Sequence, residues 1–340
     1  MKLFSYLKNG SAKVGIKVAD DHYDIEQVLL SLKECKSVNP LHNKIDYLNF
    51  DSIIALINGG IQTEDALRSI TSYIDWNKSF GDPFLLRGAI LDEFSLAWLP
   101  SIPQPPVLYG IGGNSPLFFR NKNYQIPAYP RGFVRPNSKN AIIGHRGVVN
   151  IPKHYSTMRA SAELGVVIGK TGKNISEENA MDYVYGYTLV NDMCSDSWKV
   201  VALDGIDEEM MLTDLTVFTK RAATSYYSRS TDTFTAVGPY VVTKDEVPDP
   251  YNLMVWNSLS GVVREKGYTQ SMVNGIERTI SFLSRIFTIQ PGMIFHMGTM
   301  GIDGYTVERD MQLDENAYFE IEYERVGKLR NYIRDYRRHD

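Results

Sequence analysis

The chain has 340 residues, 43% of them hydrophobic and 22% charged. That length and balance exclude a disordered or coiled-coil chain and allow one large core or two unequal ones. Thirty-six basic and 40 acidic residues leave a formal charge of -4, and no run of one sign occurs, so no nucleic-acid partner is expected from bulk charge.

The longest apolar stretches, such as the one around Gly88-Ala89-Ile90-Leu91, are cut by Asp or Glu within a few residues. Nothing approaches the roughly 18 to 20 apolar residues of a membrane span, and no membrane partner is expected. At the N-terminus, Asn9-Gly10 interrupts the sequence before a signal-like apolar block forms, which gives a cytoplasmic location by default. Cys35 and Cys194 are the only cysteines, too few for a disulfide framework or a thiolate metal cage, so both are expected as free thiols.

In chain order, Lys2 to Leu7 and Ala12 to Val18 alternate as two strands around Asn9-Gly10, a hairpin signature. Tyr47-Leu48, Ile53-Ile54 and Ile57 recur at helical spacing. Ala66, Leu67, Ile70, Tyr73 and Ile74 do so again after the polar start Thr63-Glu64-Asp65, which predicts two packed helices. The run from Leu99 to Pro106 holds four prolines, which neither continue a helix nor donate to a sheet ladder, and it marks a boundary between domains at about 1–100 and 107–333.

Beyond that run, strands are predicted at Val107 to Gly112, Ala141 to Ile143, Glu163 to Ile168, Tyr185 to Val190, Tyr240 to Thr243, Leu253 to Leu259, Met293 to Met297 and Tyr318 to Tyr323. In the last, Phe319, Ile321 and Tyr323 alternate with glutamates, which predicts one buried and one wet face. Helices are predicted from a Ser176 cap to about Tyr183, and over Ile276, Ile280, Leu283 and Phe287. The fold class is therefore α+β, mainly β, with a small N-terminal α+β domain.

Several motifs fail on their own terms. Gly165 to Thr171 has three β-branched residues where a phosphate loop needs four residues between its glycines. Gly110-Ile111-Gly112-Gly113 lacks the third glycine of a dinucleotide fingerprint, and Ser115-Pro116-Leu117-Phe118-Phe119 does not read as a clear helix start, which leaves a tight turn. No GxSxG, HExxH or Cys-His zinc spacing occurs. Glu163, opening ELGVVIG, and Asp192, closing YVYGYTLVND, are carboxylates at the ends of two buried strands. They either cap turns or converge on a hard cation.

The stretches RASAELGVVIGK, SEENAMDYVYGYTLVND, RSTDTFTAVGPYVVTKDEVPDP and MIFHMGTMG, in that order and spacing, resemble the C-terminal catalytic domain of the fumarylacetoacetate hydrolase superfamily over Val107 to Ile333. The resemblance implies a mixed β-sandwich roll, commonly a homodimer. It also implies a divalent metal, usually Mg²⁺ or Mn²⁺, which stabilises the enolate of a small oxo acid or β-dicarbonyl substrate during hydrolysis, decarboxylation, dehydration or isomerisation.

Carried over by position, Glu163 and Asp192 match metal carboxylates, while Ser161 stands where the family pattern has the first Glu of Glu-x-Glu. Asp196 replaces a substrate-facing arginine. Arg229 replaces the catalytic lysine, and an arginine clamps an anion but does not readily give up its proton. Thr233 and Thr299 match metal-adjacent and substrate positions. Phe118 stands where the water-activating histidine is expected, which disfavours hydrolytic C–C cleavage relative to chemistry that needs only an enolate and a proton.

The resemblance thus assigns catalysis to Arg229, Thr299 and His296, substrate binding to Arg135, Phe118, Ser161 and Asp196, and metal binding to Glu163 and Asp192. Arg131 and Lys199 are further candidates for an anion, with ordinary surface charge as the alternative. His145 and His154 read as surface histidines, and Asp204 to Glu209 as a capped helix start. The competing functional reading is a non-catalytic relative that binds a metabolite or acts as a scaffold.

Overall fold

Asn9 and Gly10 both take positive φ, 51° and 77°, as a two-residue turn between right-twisted strands requires. They join β1 (Lys2–Lys8) to β2 (Ser11–Val18) in antiparallel register from Lys2↔Lys17 to Lys8↔Ser11. The computed structural model describes residues 1–34, 49–153, 155, 157–195, 228–300, 305–308, 311 and 313–338. Cys35, Tyr47, Leu48, His154, Asp196, Lys199 and the 204–209 segment lie outside the described residues.

β3 (Asp21–Asp24) extends the hairpin, and Asp24 caps α1 (Ile25–Glu34), its Oδ1 accepting from Glu26 N at 3.0 Å. Ser52 caps α2 (Ile53–Asn58) by accepting from Ala55 N. α3 (Gly60–Ser79) begins at Gly60 and not at Thr63. The reason is local: Gly60 adopts φ 56°, a turn conformation open to glycine, so the chain reverses out of α2 straight into the next helix. β4 (Ile90–Leu91) pairs with β3. The proline-rich run then lies along β1, where Leu99 N donates to Ser5 O and Ser5 Oγ donates to Ser101 O.

β5 (Leu108–Ile111) leads through the turn at Gly113 into α4 (Pro116–Lys122). Sequence reasoning expects only a turn here. The structure adds a helix because Ser115 Oγ accepts from Leu117 N and Pro116 occupies the first turn, where its missing N–H costs nothing. The remaining strands are β6 (Gly132–Arg135), β7 (Ile142–Ile143), β8 (Val148–Ile151), β9 (Thr157–Ala160), β10 (Ala162–Ile168), β11 (Val184–Asp192), β12 (Thr235–Val237), β13 (Tyr240–Thr243), β14 (Met254–Leu259), β15 (Val262–Tyr268), β16 (Ile294–Thr299), β17 (Tyr305–Glu308), β18 (Tyr318–Tyr323) and β19 (Gly327–Asp335). α5 (Ile276–Ile286) precedes β16 and buries Ile276, Ile280 and Leu283. It stops one residue short of Phe287, whose backbone is extended. Glu177–Tyr183 forms a 3-10 helix, and Ser176 stands at its start without a side-chain cap.

The main sheet runs β4-β3-β2-β1-β13-β11-β10-β16-β5-β6, with β12 on β11 and β7 on β12. A second sheet runs β15-β14-β18-β19-β8, and β17 pairs with β9. β1 pairs antiparallel with β13, which places the first hundred residues and the rest of the chain in one sheet.

Side-chain alternation gives the main sheet two different faces. Leu164, Val166, Tyr187, Leu189, Phe295 and Met297 share a core with Phe319, Ile321 and Leu329 of the second sheet. The opposite parity, Val167, Val190, Ile294 and Leu108, shares a core with Leu67, Ile70 and Ile74 of α3. Fully burying one such side chain contributes about 1.5–3 kcal/mol. Glu163, Asp192 and His296 have the parity of this second set, so they lie on the helix-bearing face, beyond the reach of its helices at the other end of the strands.

Candidate active site

β10 and β16 are antiparallel neighbours, but their register shifts between Glu163↔Thr299 and Gly165↔His296. That irregularity brings the His296 ring beside the Glu163 carboxylate: His296 Nδ1 lies 2.5 Å from Glu163 Oε2, and Gly298 N donates to the same oxygen at 3.0 Å. Gly298 reaches this position with φ 78°, and a Cβ there would meet Ile111 O and Asn114. Asn114 fixes the turn from the other side, donating to Met297 O and Asn274 O and accepting from Asn274 N.

His296 extends across β16 toward β5, where its register partner is Gly110. A Cβ at Gly110 would stand 2.4 Å from His296 Nε2, so only glycine leaves room for the ring. Phe133 of β6 meets the same imidazole edge-on, with centroids 5.7 Å apart, and Arg229 lies 4.6 Å over the Phe133 ring.

Asp192 ends β11 between two guanidinium groups. Arg135 Nη2 donates to its Oδ1, and Arg229 Nε donates to its Oδ2 at 3.2 Å. Arg135 also donates to Arg229 O and Met193 O. Yet β6, which carries Arg135, lies four strand spacings from β11 in the sheet order. In a flat sheet that is roughly 19 Å, at about 4.8 Å per spacing. The sheet therefore curls strongly enough for its edge to return over β11.

The two carboxyls sit in opposite electrostatic environments. Burial pushes Glu163 above the usual carboxylate range, although His296 opposes the shift. Burial acts the same way on Asp192, but Arg135 and Arg229 outweigh it and hold that carboxyl well below the ordinary range. Glu163, Asp192, Arg135 and His296 are buried to within a few per cent, whereas the Arg229 side chain is 15% exposed, so access to the cluster is from the Arg229 side.

The other sequence candidates fall around this cluster or away from it. Thr299 ends β16 directly across from Glu163, half-buried. Ser161 is buried between β9 and β10, its backbone N–H donating to Asn191 Oδ1 and its carbonyl accepting from Asp192 N. Phe118 on α4 packs on Gly113, Phe119 and Tyr124. Arg131 is exposed and lies over Phe119. Thr233 accepts from Asn150 N through its hydroxyl and holds a loop in left-handed backbone, φ 66°.

His145 is buried, not on the surface: it accepts from Arg330 N, packs edge-on to Trp98, and burial lowers its pKa to about 3. Sequence reasoning missed Gly110, Phe133, Gly298 and Thr235. Thr235 pairs with Asp192 in register, and its buried Oγ1 has no hydrogen-bond partner. A cleft on the outer face of the second sheet, lined by Trp256, Ser258, Val263, Glu320, Glu322 and Lys328, offers no comparable cluster, since its glutamates pair with Arg330 and Lys328.

A divalent ion at Glu163 and Asp192 is not favoured by this arrangement. Three of the four carboxylate oxygens, Oε2 of Glu163 and both of Asp192, already accept from N–H groups or the imidazole. Two guanidinium charges face Asp192, burial disfavours the ionised form of Glu163, and no group of three or more His, Cys, Asp or Glu that could hold a metal occurs among the described residues. Hard cations bind where oxygen donors carry uncompensated negative charge. The described residues do not fit one.

The fold and the motif order define an enzyme-family β-roll, and comparison with known proteins identifies which. The family described as "Fumarylacetoacetate (FAA) hydrolase C-terminal" matches residues 109–334, and the chain belongs to that family. The mitochondrial oxaloacetate tautomerase of Xenopus laevis is 29% identical over 268 residues, 79% of this chain and 75% of that protein. A Burkholderia lata protein whose name assigns only a hydrolase class is 33% identical over 190 residues, and the chain spans 60% of its length.

Among solved structures, fumarylacetoacetate hydrolase of Exiguobacterium antarcticum matches with TM-score 0.68 at 20% identity, over 98% of this chain and 99% of that one. Maleylpyruvate hydrolase of Sphingobium sp. SYK-6, solved with manganese(II) and pyruvate, matches with TM-score 0.62 at 20% identity, over 98% and 99%. These likenesses establish the fold over nearly the whole chain.

Proposed function

We propose that the chain is an enzyme acting on a small oxo acid or β-dicarbonyl compound by stabilising its enolate. One observation carries this reading: Glu163, Asp192, Arg135, Arg229 and His296 converge at one end of one sheet face in a chain of this family. Arg229, the most exposed of the five, pairs with the substrate's anionic group, and Thr299 positions it. His296 Nε2, buried and unpartnered, takes a proton from the carbon next to the carbonyl while the electron pair moves to oxygen. Returning that proton elsewhere on the enolate completes a tautomerisation or isomerisation; with a β-oxo acid in its keto form, loss of CO₂ in place of the proton gives the enolate directly, and a proton delivered to its carbon completes a decarboxylation. Phe118 at the position of the expected histidine argues against water activation.

The Mg²⁺ or Mn²⁺ that the sequence resemblance implies has no step in this reading, because Arg135, Arg229 and His296 already occupy the carboxylates. A homodimer is the expected assembly, checked by light scattering of the eluting protein. The alternative, a metabolite-binding relative without turnover, draws on the same internal satisfaction of the cluster.

Proton exchange in D₂O, followed by ¹H NMR with oxaloacetate, pyruvate and acylpyruvates, separates the two. Enzyme-dependent loss of the proton next to the carbonyl, reduced by about 100-fold or more in His296→Gln, is the expected result. Saturable binding without exchange for every compound would establish the binder instead.

A further inference from the structure

The described site pairs both of its guanidinium groups with Asp192 and leaves buried nitrogen and hydroxyl atoms without partners. Asp192 is held by Arg135 and Arg229, and Glu163 by His296 and Gly298 N. Among the described residues, the buried polar atoms at this end of the sheet that lack a hydrogen-bond partner include Arg135 Nε, Thr235 Oγ1 and His296 Nε2. Arg135 Nε carries a proton at any ordinary pH, and a hydroxyl can donate. Nitrogen donors attract an oxyanion and repel a divalent ion, which needs several oxygen ligands.

Two local features reinforce the exchange of a metal for side chains. The position expected to carry a further carboxylate is Ser161, so the site lacks one negative charge that a 2+ ion would require. Gly110 provides the space that lets His296 reach Glu163, a contact that uses up a carboxylate oxygen. Loss of a ligand charge and occupation of the remaining ones act in the same direction.

We propose that this chain binds the oxyanion of its substrate with Arg135, Arg229 and the Glu163-bound His296, in the place and without the service of a resident divalent cation. The proposal rests on the cluster used in the functional reading above but not on turnover, so each can fail alone. The ligand class is a planar carboxylate or enolate of the size of pyruvate, and the guanidinium of Arg229, stacked on Phe133, is its outer contact.

Oxalate, a planar mimic of an enolised 2-oxo acid, is the probe. Full-length protein in EDTA is titrated with it by calorimetry. Saturable one-site binding in EDTA, weakened about tenfold or more by Arg229→Gln, is expected. Binding that appears only after Mn²⁺ replaces EDTA would overturn the proposal.

Manganese alone is then followed by electron paramagnetic resonance. The chelator-stripped protein is expected to leave the free-ion signal unchanged up to about 1 mM. A micromolar Mn²⁺ site lost in both Glu163→Gln and Asp192→Asn would contradict it. A double variant, Ser161→Glu with His296→Leu, adds one carboxylate and releases another, and is expected to bind Mn²⁺ about tenfold or more tightly than the natural chain. Unchanged affinity in a double variant with a native near-ultraviolet spectrum would show that cation occupancy is not what excludes the metal. The natural-chain measurements need no variant to fold. A null result in the exchange assay alongside oxalate binding in EDTA would remove the reaction and leave this inference in place.

Discussion

Strands β10, β11 and β16 carry two faces of opposite chemistry. Toward the second sheet they present the apolar side chains Leu164, Val166, Tyr187, Leu189, Phe295 and Met297. On the other face the same strands begin under α3 as apolar and end as Glu163, Asp192 and His296. Both regions are equally dry, so burial does not distinguish them. The difference is what each needs to stay dry: one face needs shape alone, whereas the other needs every charge to find an opposite charge or a donor.

Substitutions on the two faces sharpen this contrast. The largest effects are expected where either face loses its central element. Asp192→Ala leaves Arg135 and Arg229 confined without their carboxylate and should cost about 3–5 kcal/mol. Phe295→Ala opens a void between the sheets and should cost about 3–5 kcal/mol as well. Urea unfolding reads both, and only the first should also abolish oxo-acid proton exchange. A loss of exchange in Phe295→Ala protein that remains folded would mean the two faces are not independent.

The two carboxyls of the charged face should differ from each other. Glu163→Gln keeps an oxygen to accept from Gly298 N and removes an acid whose ionised form burial already disfavours. Its stability is expected within about 1 kcal/mol of the natural chain, since a neutral isostere retains the hydrogen bond. A loss as large as that of Asp192→Ala would show that Glu163 is ionised and held as tightly as Asp192.

A smaller effect comes from a third buried region that uses neither device. His22 donates to or accepts from Tyr240 Oη at 2.7 Å, stacks on its ring and meets Phe4 and Trp98. Burial, helped by Lys17, lowers its pKa from 6.5 to about 4. The unfolded chain therefore binds the proton first, and stability falls as pH drops from about 6.5 to about 4. His145 acts in the same direction down to about 3. His22→Gln should reduce proton uptake on unfolding at pH 5 by up to about one proton, read from the pH dependence of the unfolding free energy.

Much of the frame was legible in the sequence because it depends on alternation and turn chemistry, which are local. The strands at Tyr240–Thr243 and Tyr318–Tyr323 occur with the bounds read from the residues. β3, β4, β6, β8, β9, β12, β15, β17 and β19 were missed because they are short or charged, and their pairing partners, not their own pattern, make them strands. Glu163 and Asp192 stood out as carboxylates at the ends of apolar runs. Arg135, Arg229 and His296 were named singly from the resemblance, but their pairing with the carboxylates was not legible: Arg135 reaches Asp192 only through the curl of a sheet, and His296 reaches Glu163 only through a register shift. A histidine in one strand and a glycine in another are individually ordinary. Their pairing as His296↔Gly110 was the signal, and it requires the strand order.

The central claim, that the Arg135 and Arg229 guanidinium groups and the His296 ring take the place of a metal at Glu163 and Asp192, has one direct test. Crystals of the full chain grown with oxalate and Mn²⁺ can be measured at the manganese absorption edge. Oxalate density beside Arg229 and Thr235, with no anomalous peak between Glu163 and Asp192, is the expected result. An anomalous peak bridging the two carboxylates, with the Arg135 and Arg229 side chains turned away from Asp192, would contradict it.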